Sequence, residues 1–229
     1  MQPSLYPSYM DLDRFIDVAR LRSLDAFLVE RIEARVAASS DTSFYTGPFL
    51  LEAQAPTTPG SRMIYLSRSR APDNYYDLDR PDLWEPSEEA GEFAPLMDFI
   101  ATLPFQATAR MLIMYDHSGR AVSAHRDHDS VDLCHEFVWF RTNFNKPFYM
   151  LNPETGEKRY VRSHAAWFDT VNQFHGADAS HGLSFSIRVD GRFSDAFRRL
   201  IPYPDTGRAA APSLWATMGD AHQQALSPA

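Results

Sequence analysis

The strand pattern that decides the fold is clearest at residues 183–190, which read Leu183-Ser184-Phe185-Ser186-Ile187-Arg188-Val189-Asp190. Apolar and polar side chains alternate through the whole stretch. Because successive side chains of a strand point to opposite faces of a sheet, one face here is apolar and the other carries two hydroxyls and a guanidinium. We therefore predict a strand that packs on one face and is unusually polar on the other.

Short apolar-rich runs recur upstream of this strand. They cover residues 109–115, 121–127, 135–142, 146–151, 158–162 and 165–171. Turn residues separate the runs, as at Ser118-Gly119 and Pro153 to Gly156. Several short strands with regular turns and no intervening helices are typical of a β-barrel or jelly roll.

The regions on either side have a different character. Helical spacing of apolar residues predicts an amphipathic helix over 11–37, broken near Ser23 and capped by Asp11 or Asp13. We predict one domain that is mainly β with flanking helices, in which residues 1–107 support a core at 108–195 and residues 196–229 form a tail. The remaining predicted elements are strands at 43–53 and 62–69, a long loop at 70–91, and helices at 92–103 and 196–200.

Composition limits the classes of partner. The chain has 22 basic and 30 acidic residues, a net charge of −8, which disfavours binding to a phosphate backbone. Cys134 is the one cysteine of the sequence, so an internal disulfide is impossible. We find neither a secretory leader nor an apolar stretch of membrane-spanning length, and we expect a soluble, cytoplasmic protein that acts on a small molecule.

The residues with the clearest chemical signal are His125, Asp127 and His175. On a strand, His125 and Asp127 present an imidazole and a carboxylate to the same face. His175 follows 50 residues later, at the start of a turn after the run 165–171, which is enough chain to return to the same end of a small barrel. Two histidines and one carboxylate that leave coordination positions open are the ligands of non-heme Fe(II) oxygenases.

Arg188 and Ser186 lie on the polar face of the strand at 183–190. Arginine is the natural partner of a carboxylate because its paired N–H groups match the two oxygens. We predict that Arg188, with Ser186 beside it, binds a carboxylate of a cosubstrate; a surface ion pair is the alternative for Arg188.

The sequence resembles the aspartyl/asparaginyl β-hydroxylase family over roughly residues 108–195, and within it the pattern of bacterial proline cis-hydroxylases. The resemblance is carried mainly by His125-Arg126-Asp127, Arg141-Thr142-Asn143 and Trp167-Phe168-Asp169, followed by His175. It implies a double-stranded β-helix (jelly roll or cupin-like), with Fe(II), 2-oxoglutarate as cosubstrate and O2. It further implies hydroxylation of an unactivated C–H bond of an amino acid or related metabolite.

This sequence departs from the family where the 2-oxoglutarate arginines are expected. His135 and Gly182 occupy those positions, and Arg188 follows six residues after Gly182. Arg141 and His135 are therefore further candidates for cosubstrate contact, with packing or ion pairing as the alternative role.

Substrate contacts are predicted for Arg110, Tyr115 and Trp167, with the 70–91 loop as a lid. Two other classes of protein remain open from the residues. One is a non-oxidative cupin-like isomerase or lyase, and the other is a barrel that binds a small molecule without catalysis.

Overall fold

The computed structural model describes residues 9–38, 61–70, 78, 80–117, 119–127, 136–170 and 173–200. The predicted strand at 43–53, most of the first half of the 70–91 loop, His135 and the tail beyond residue 200 lie outside these ranges. No helix within the described ranges has the length and apolar character needed to span a membrane.

Twelve strands and four α-helices make up the described chain. In chain order they are β1 (Met10–Asp11), α1 (Val18–Ser23), α2 (Asp25–Ala38), β2 (Ser61–Tyr65), β3 (Ser67–Ser69), β4 (Trp84–Pro86), α3 (Ala94–Ile100), β5 (Phe105–Asp116), β6 (Val122–His125), β7 (Phe137–Phe140), β8 (Phe148–Leu151), β9 (Lys158–Tyr160), β10 (Ala165–Trp167), β11 (Phe174–Ala177), β12 (Ser184–Phe193) and α4 (Asp195–Arg198). Three 3₁₀ turns add Asp13–Phe15, Pro81–Leu83 and Glu88–Phe93.

The strands form two main sheets with antiparallel neighbours. The larger sheet has the order β1-β10-β7-β12-β5-β2, and the smaller has the order β6-β11-β8-β9. Of the eight strands from β5 to β12, the larger sheet contains β5, β7, β10 and β12, and the smaller contains β6, β8, β9 and β11. Two facing sheets of four strands each are the arrangement of a jelly roll. The prediction of a mainly β fold with a double-stranded β-helix core is confirmed. A third, two-stranded sheet pairs β3 with β4.

The two faces of the larger sheet meet different partners. Ile187 of β12 pairs with both Phe140 and Ile113, and the Phe140 ring lies 5.5 Å from that of Phe99 in α3. This face therefore packs against the helices. On the opposite face, the Trp139 ring stacks on Phe148 of the smaller sheet, with the centroids 4.6 Å apart. We call the second face the inner face, because it looks into the space between the two sheets.

Several predicted elements differ from the structure in position. The first helix begins at Val18 and not at residue 11, because Asp17 accepts a hydrogen bond from the Arg20 amide as the N-cap and residues 10–11 instead pair with β10. The break falls at Leu24, close to the predicted site. The 70–91 loop contains β4 and two 3₁₀ turns, and the second of these turns leads directly into α3.

A polar contact joins helix α2 to the loop after β7. The Asp25 carboxylate accepts hydrogen bonds from the Thr142 hydroxyl and, at 2.6 Å, from the Asn143 amide.

Asp25→Ala would leave the buried Thr142 hydroxyl without this partner, so we expect a loss of about 1–3 kcal/mol in the free energy of unfolding. Chemical denaturation measures this loss. The control, Asp98→Ala on the exposed face of α3, should change stability by less than about 0.5 kcal/mol.

Candidate metal centre

Antiparallel pairing of β6 with β11 brings the two distant histidines together. His125 and His175 are direct partners in the register, and their ring centroids are 4.5 Å apart. Asp127 follows β6 at a bend, where its backbone N–H donates to the Thr170 carbonyl at 3.0 Å. This bond fixes the chain just beyond the strand and turns the carboxylate toward the two imidazoles.

The ligand-type atoms of the three side chains converge on one point. His175 Nε2 lies 3.2 Å from Asp127 Oδ1, and His125 Nε2 lies 3.7 Å from the same oxygen. One atom from each residue falls within 4.8 Å of the other two, close enough for a single metal ion. We call these residues the His-Asp-His cluster; His175 is buried, whereas the other two are partly exposed.

Backbone carbonyls set the orientation of both imidazoles. His125 Nδ1 is 2.8 Å from the Ser123 carbonyl oxygen, and His175 Nδ1 is 3.1 Å from that of Gln173. A carbonyl oxygen can only accept a hydrogen bond, so each Nδ1 carries a proton and Nε2 is the nitrogen that each ring turns toward the cluster. This is the usual way in which proteins fix a metal-binding histidine.

A glycine allows the strands to approach closely beside His175. A Cβ atom on Gly176 would lie 2.7 Å from both the Val122 carbonyl oxygen and the Tyr149 hydroxyl. Any side chain at this position would push β11 away from its neighbours. The absence of a side chain at Gly176 therefore helps to keep His175 in register with His125.

The Asp127 carboxyl is held in its ionised form. Burial alone would raise its pKa, but the hydrogen bond from His175 and the charges of His175, Arg188 and His125 outweigh burial and hold the pKa well below its ordinary value. At neutral pH, Asp127 is thus a carboxylate ready to bind a cation.

Arg188 reaches this carboxylate from β12. Its Nη1 donates to Asp127 Oδ2 at 2.9 Å, and its Nε donates to Asp190 Oδ1 at 2.9 Å. Phe137 lies against the guanidinium, with its ring centroid 4.1 Å from Cζ. Arg188 is buried, and its Nη2 has no hydrogen-bond partner among the described residues. The polar face predicted for this strand therefore faces the cluster.

The other predicted cosubstrate residues occupy different surroundings. Ser186 is half-buried and lies on the same face of β12 as Arg188. Arg141 is buried, and it donates to the backbone carbonyls of Lys146, at 2.9 Å, and Val161. The structure gives Arg141 a role in fixing these two loops. A series of contacts separates it from His175 in space: its guanidinium lies over the Trp139 ring, Trp139 stacks on Phe148, and Phe148 contacts His175.

Only one of the three predicted substrate contacts lies on the inner face. Arg110 Nε donates to Asp190 Oδ2 at 3.0 Å, next to Arg188. Tyr115 pairs with Phe185 and shares the helix-packed face with Ile113, so the structure does not bring it to the cluster. Trp167 has no exposed surface and is part of the hydrophobic core, and its predicted contact with substrate stays a prediction.

Sequence reasoning missed Asp190 as a partner of both arginines. The alternation in β12 was the available signal, because it places Asp190 on the same face as Arg188. It also missed Phe137, which a sequence presents as one more apolar strand residue.

Comparison with solved structures supports the fold. A prolyl hydroxylase from Trichoplax adhaerens, solved with a hypoxia inducible factor oxygen degradation domain peptide, has a TM-score of 0.51 at 9% identity and covers 85% of this chain and 87% of its own. A Pseudomonas putida prolyl-4-hydroxylase gives a TM-score of 0.44 at 12% identity, covering 82% of this chain and 92% of its own. A 2OG-Fe(II) oxygenase family oxidoreductase from Burkholderia pseudomallei gives 0.36 at 11% identity, covering 57% and 68%.

Comparison by sequence adds no relative. No protein-family model matches the chain, and no curated protein matches it. At 9% identity, the likeness to the Trichoplax adhaerens enzyme establishes a shared double-stranded β-helix fold.

Proposed function

We propose that this protein is an Fe(II)- and 2-oxoglutarate-dependent oxygenase that hydroxylates an unactivated C–H bond of a small molecule. The observation that carries the proposal is the convergence of two Nε2 atoms and one carboxylate oxygen inside a jelly roll. His125, Asp127 and His175 would hold the iron.

The donor set fits a divalent iron ion. Two neutral imidazoles and one carboxylate on one side of a metal suit non-heme Fe(II) and leave positions open for other ligands. Both imidazoles already have their Nδ1 protons engaged, and the Asp127 carboxylate is ionised. When bound, iron with 2-oxoglutarate would supply the chemistry that activates O2 and oxidises the substrate.

Charge balance around the cluster favours a dianionic cosubstrate. The carboxylates of Asp127 and Asp190 are matched by the guanidinium groups of Arg188 and Arg110. A bound divalent cation would leave two positive charges in excess, which a dianion such as 2-oxoglutarate would neutralise. Arg188 Nη2, buried without a hydrogen-bond partner among the described residues, is the donor that we assign to a carboxylate of this cosubstrate, with Ser186 beside it.

Aromatic side chains cover the buried side of the cluster, where His175 and Arg188 lie. The rings of Phe168 and Phe148 lie 5.0 and 5.8 Å from that of His175, and Phe137 covers Arg188. A dry surrounding strengthens the ionic contacts of Asp127 and Arg188 and protects reactive species from side reactions. These rings would therefore keep water away from the reacting groups on this side of the site.

The substrate class that we propose is an amino acid or an amino-acid-derived metabolite. Its support is the resemblance of residues 108–195 to the aspartyl/asparaginyl β-hydroxylase family, whose specific pieces are His125-Arg126-Asp127 and Trp167-Phe168-Asp169. Arg110 lies on the inner face near the cluster, but its Nε is taken up by Asp190, so we assign the substrate carboxylate to no residue.

The proposal predicts two linked results. Anaerobic addition of Fe(II) and 2-oxoglutarate should give the weak visible charge-transfer band of their complex. Admission of O2 with a panel of amino acids should then release succinate with at least one of them. The first result tests the metal and cosubstrate, and the second tests oxygenase turnover.

Zinc provides the control for this experiment, because it accepts the same nitrogen and oxygen ligands but has no redox chemistry. The zinc-loaded protein should release no succinate. A protein that transforms a small molecule equally well with zinc and without O2 would be a non-oxidative isomerase or lyase. Absence of the band with iron would remove the basis for the oxygenase proposal.

A further inference from the structure

Asp190 is a buried carboxylate shared by two arginines. It has no exposed surface, and its two oxygens accept from Arg188 Nε at 2.9 Å and Arg110 Nε at 3.0 Å. An unpaired carboxylate is unfavourable to bury, and here each oxygen of Asp190 is compensated by one of the two cations. Asp190 is outside the His-Asp-His cluster, and within the described part of the chain its link to that cluster runs through Arg188.

Arg188 in turn fixes one particular oxygen of Asp127. Its Nη1 binds Oδ2, whereas Oδ1 is the oxygen that faces the two histidine Nε2 atoms at 3.2 and 3.7 Å. A free carboxylate can bind a metal through one oxygen or through both. With Oδ2 engaged by Arg188, a metal in the cluster is offered Oδ1 alone.

We propose that Asp190, braced by Arg110, is a positioning residue that holds Arg188 against Asp127 and so keeps Asp127 a one-oxygen metal ligand. This inference rests on the proposed function, because it concerns the same metal site. Its consequence is that an octahedral metal retains three open positions, which are needed for a two-point cosubstrate and O2.

Asp190→Asn tests the inference because asparagine keeps the shape of the side chain and removes its charge. The contact of Arg188 with residue 190 is then at most a hydrogen bond to a neutral amide, so the positive charge of Arg188 near the metal is no longer compensated. We also expect the contact of Arg188 with Asp127 Oδ2 to weaken. Outer partners of metal ligands change metal affinity by about 10–100-fold when they are mutated. We expect Asp190→Asn to weaken Mn(II) binding by at least about tenfold, measured by calorimetric titration without 2-oxoglutarate.

A second readout reports the denticity of Asp127 directly. Water-proton relaxation by bound Mn(II) counts the water molecules on the metal. The wild-type protein should show the number expected for three open positions, and Asp190→Asn should show a lower number as Asp127 Oδ2 moves onto the metal. A merely structural role for Asp190 would not change this count.

Asp116→Asn is the matched control. Asp116 is also a buried carboxylate paired with a cation, Lys146, and it is the partner of Ser184, four residues from Arg188 along β12. The spacing of strand residues places it roughly 13 Å away. This variant should lose stability but keep the wild-type Mn(II) affinity and water count.

The outcomes separate the two proposals. Failure of the wild-type protein to bind Mn(II) would contradict the proposed function. Wild-type binding together with an unchanged affinity and water count in Asp190→Asn would overturn the positioning role. If Asp190→Asn does not fold, Arg110→Gln, which removes the brace from a partly exposed position, should lower the water count to a smaller extent; an unchanged water count in that variant would overturn the role as well.

Discussion

Replacing His175 with alanine should lower the affinity for Fe(II) or Mn(II) by more than about 100-fold, since mutation of the outer partners of ligands already costs 10–100-fold. His175 is the most buried of the three cluster residues, and its Nε2 lies 3.2 Å from Asp127 Oδ1. Without this imidazole, a metal would keep only His125 and Asp127, both of which are partly open to solvent. Calorimetric titration with Mn(II) measures the loss.

His181→Ala is the control for this variant. His181 is an exposed residue in the turn before β12, so its removal should leave metal affinity unchanged. The same substitution is thereby made at two histidines six residues apart in sequence. Equal affinity in His175→Ala and the wild-type protein would show that the metal is bound elsewhere.

Trp167→Ala should destabilise the protein by about 3–5 kcal/mol, the usual range for removing a fully buried aromatic side chain. Trp167 has no exposed surface, and its ring lies 6.4 Å from that of Phe137. The deletion would leave a cavity between β10 and its neighbours. Chemical denaturation measures this loss, provided that the unfolding free energy of both proteins depends equally on denaturant concentration. The control, Leu200→Ala at an exposed position, should lower the free energy of unfolding by less than about 0.5 kcal/mol.

The Trp167→Ala variant also tests whether Trp167 is a core residue or a substrate contact. As a core residue, it should leave Mn(II) affinity within about twofold of wild type under conditions where the variant is still folded. A Trp167→Ala protein of wild-type stability with an altered KM for substrate would contradict the core assignment and restore the role first predicted from the sequence.

The periodicity of the strands was the most informative feature of the sequence. It identified both faces of β12 and placed Arg188 on the face that meets Asp127. The same rule also separates two of the predicted substrate contacts: Arg110 and Tyr115 are five positions apart on one strand, so alternation places them on opposite faces.

Strand β11 shows where periodicity fails. Its four residues, Phe174–Ala177, include a glycine and no alternation of apolar and polar side chains, so the sequence predicted a turn around His175. The strand exists because it lies between β6 and β8 and pairs with both. Such pairing is a property of the folded chain, and local sequence carries little trace of it.

The partners of the cluster were the least predictable part of the site. Asp190 and Arg110 are 80 residues apart in sequence, and their contact depends on the register of β5 with β12. A strand pattern gives the face of each residue but not its neighbour across the sheet. The identity of the three cluster residues followed from residue type and spacing, whereas the ionic network around them required coordinates.

A crystal of the protein soaked with Mn(II), without 2-oxoglutarate, tests the central claim most directly. Anomalous scattering should show one strong manganese peak bonded to the Nε2 atoms of His125 and His175 and to one oxygen of Asp127. No peak at this position, or a peak held by other residues, would contradict the assignment of these three side chains as the metal ligands.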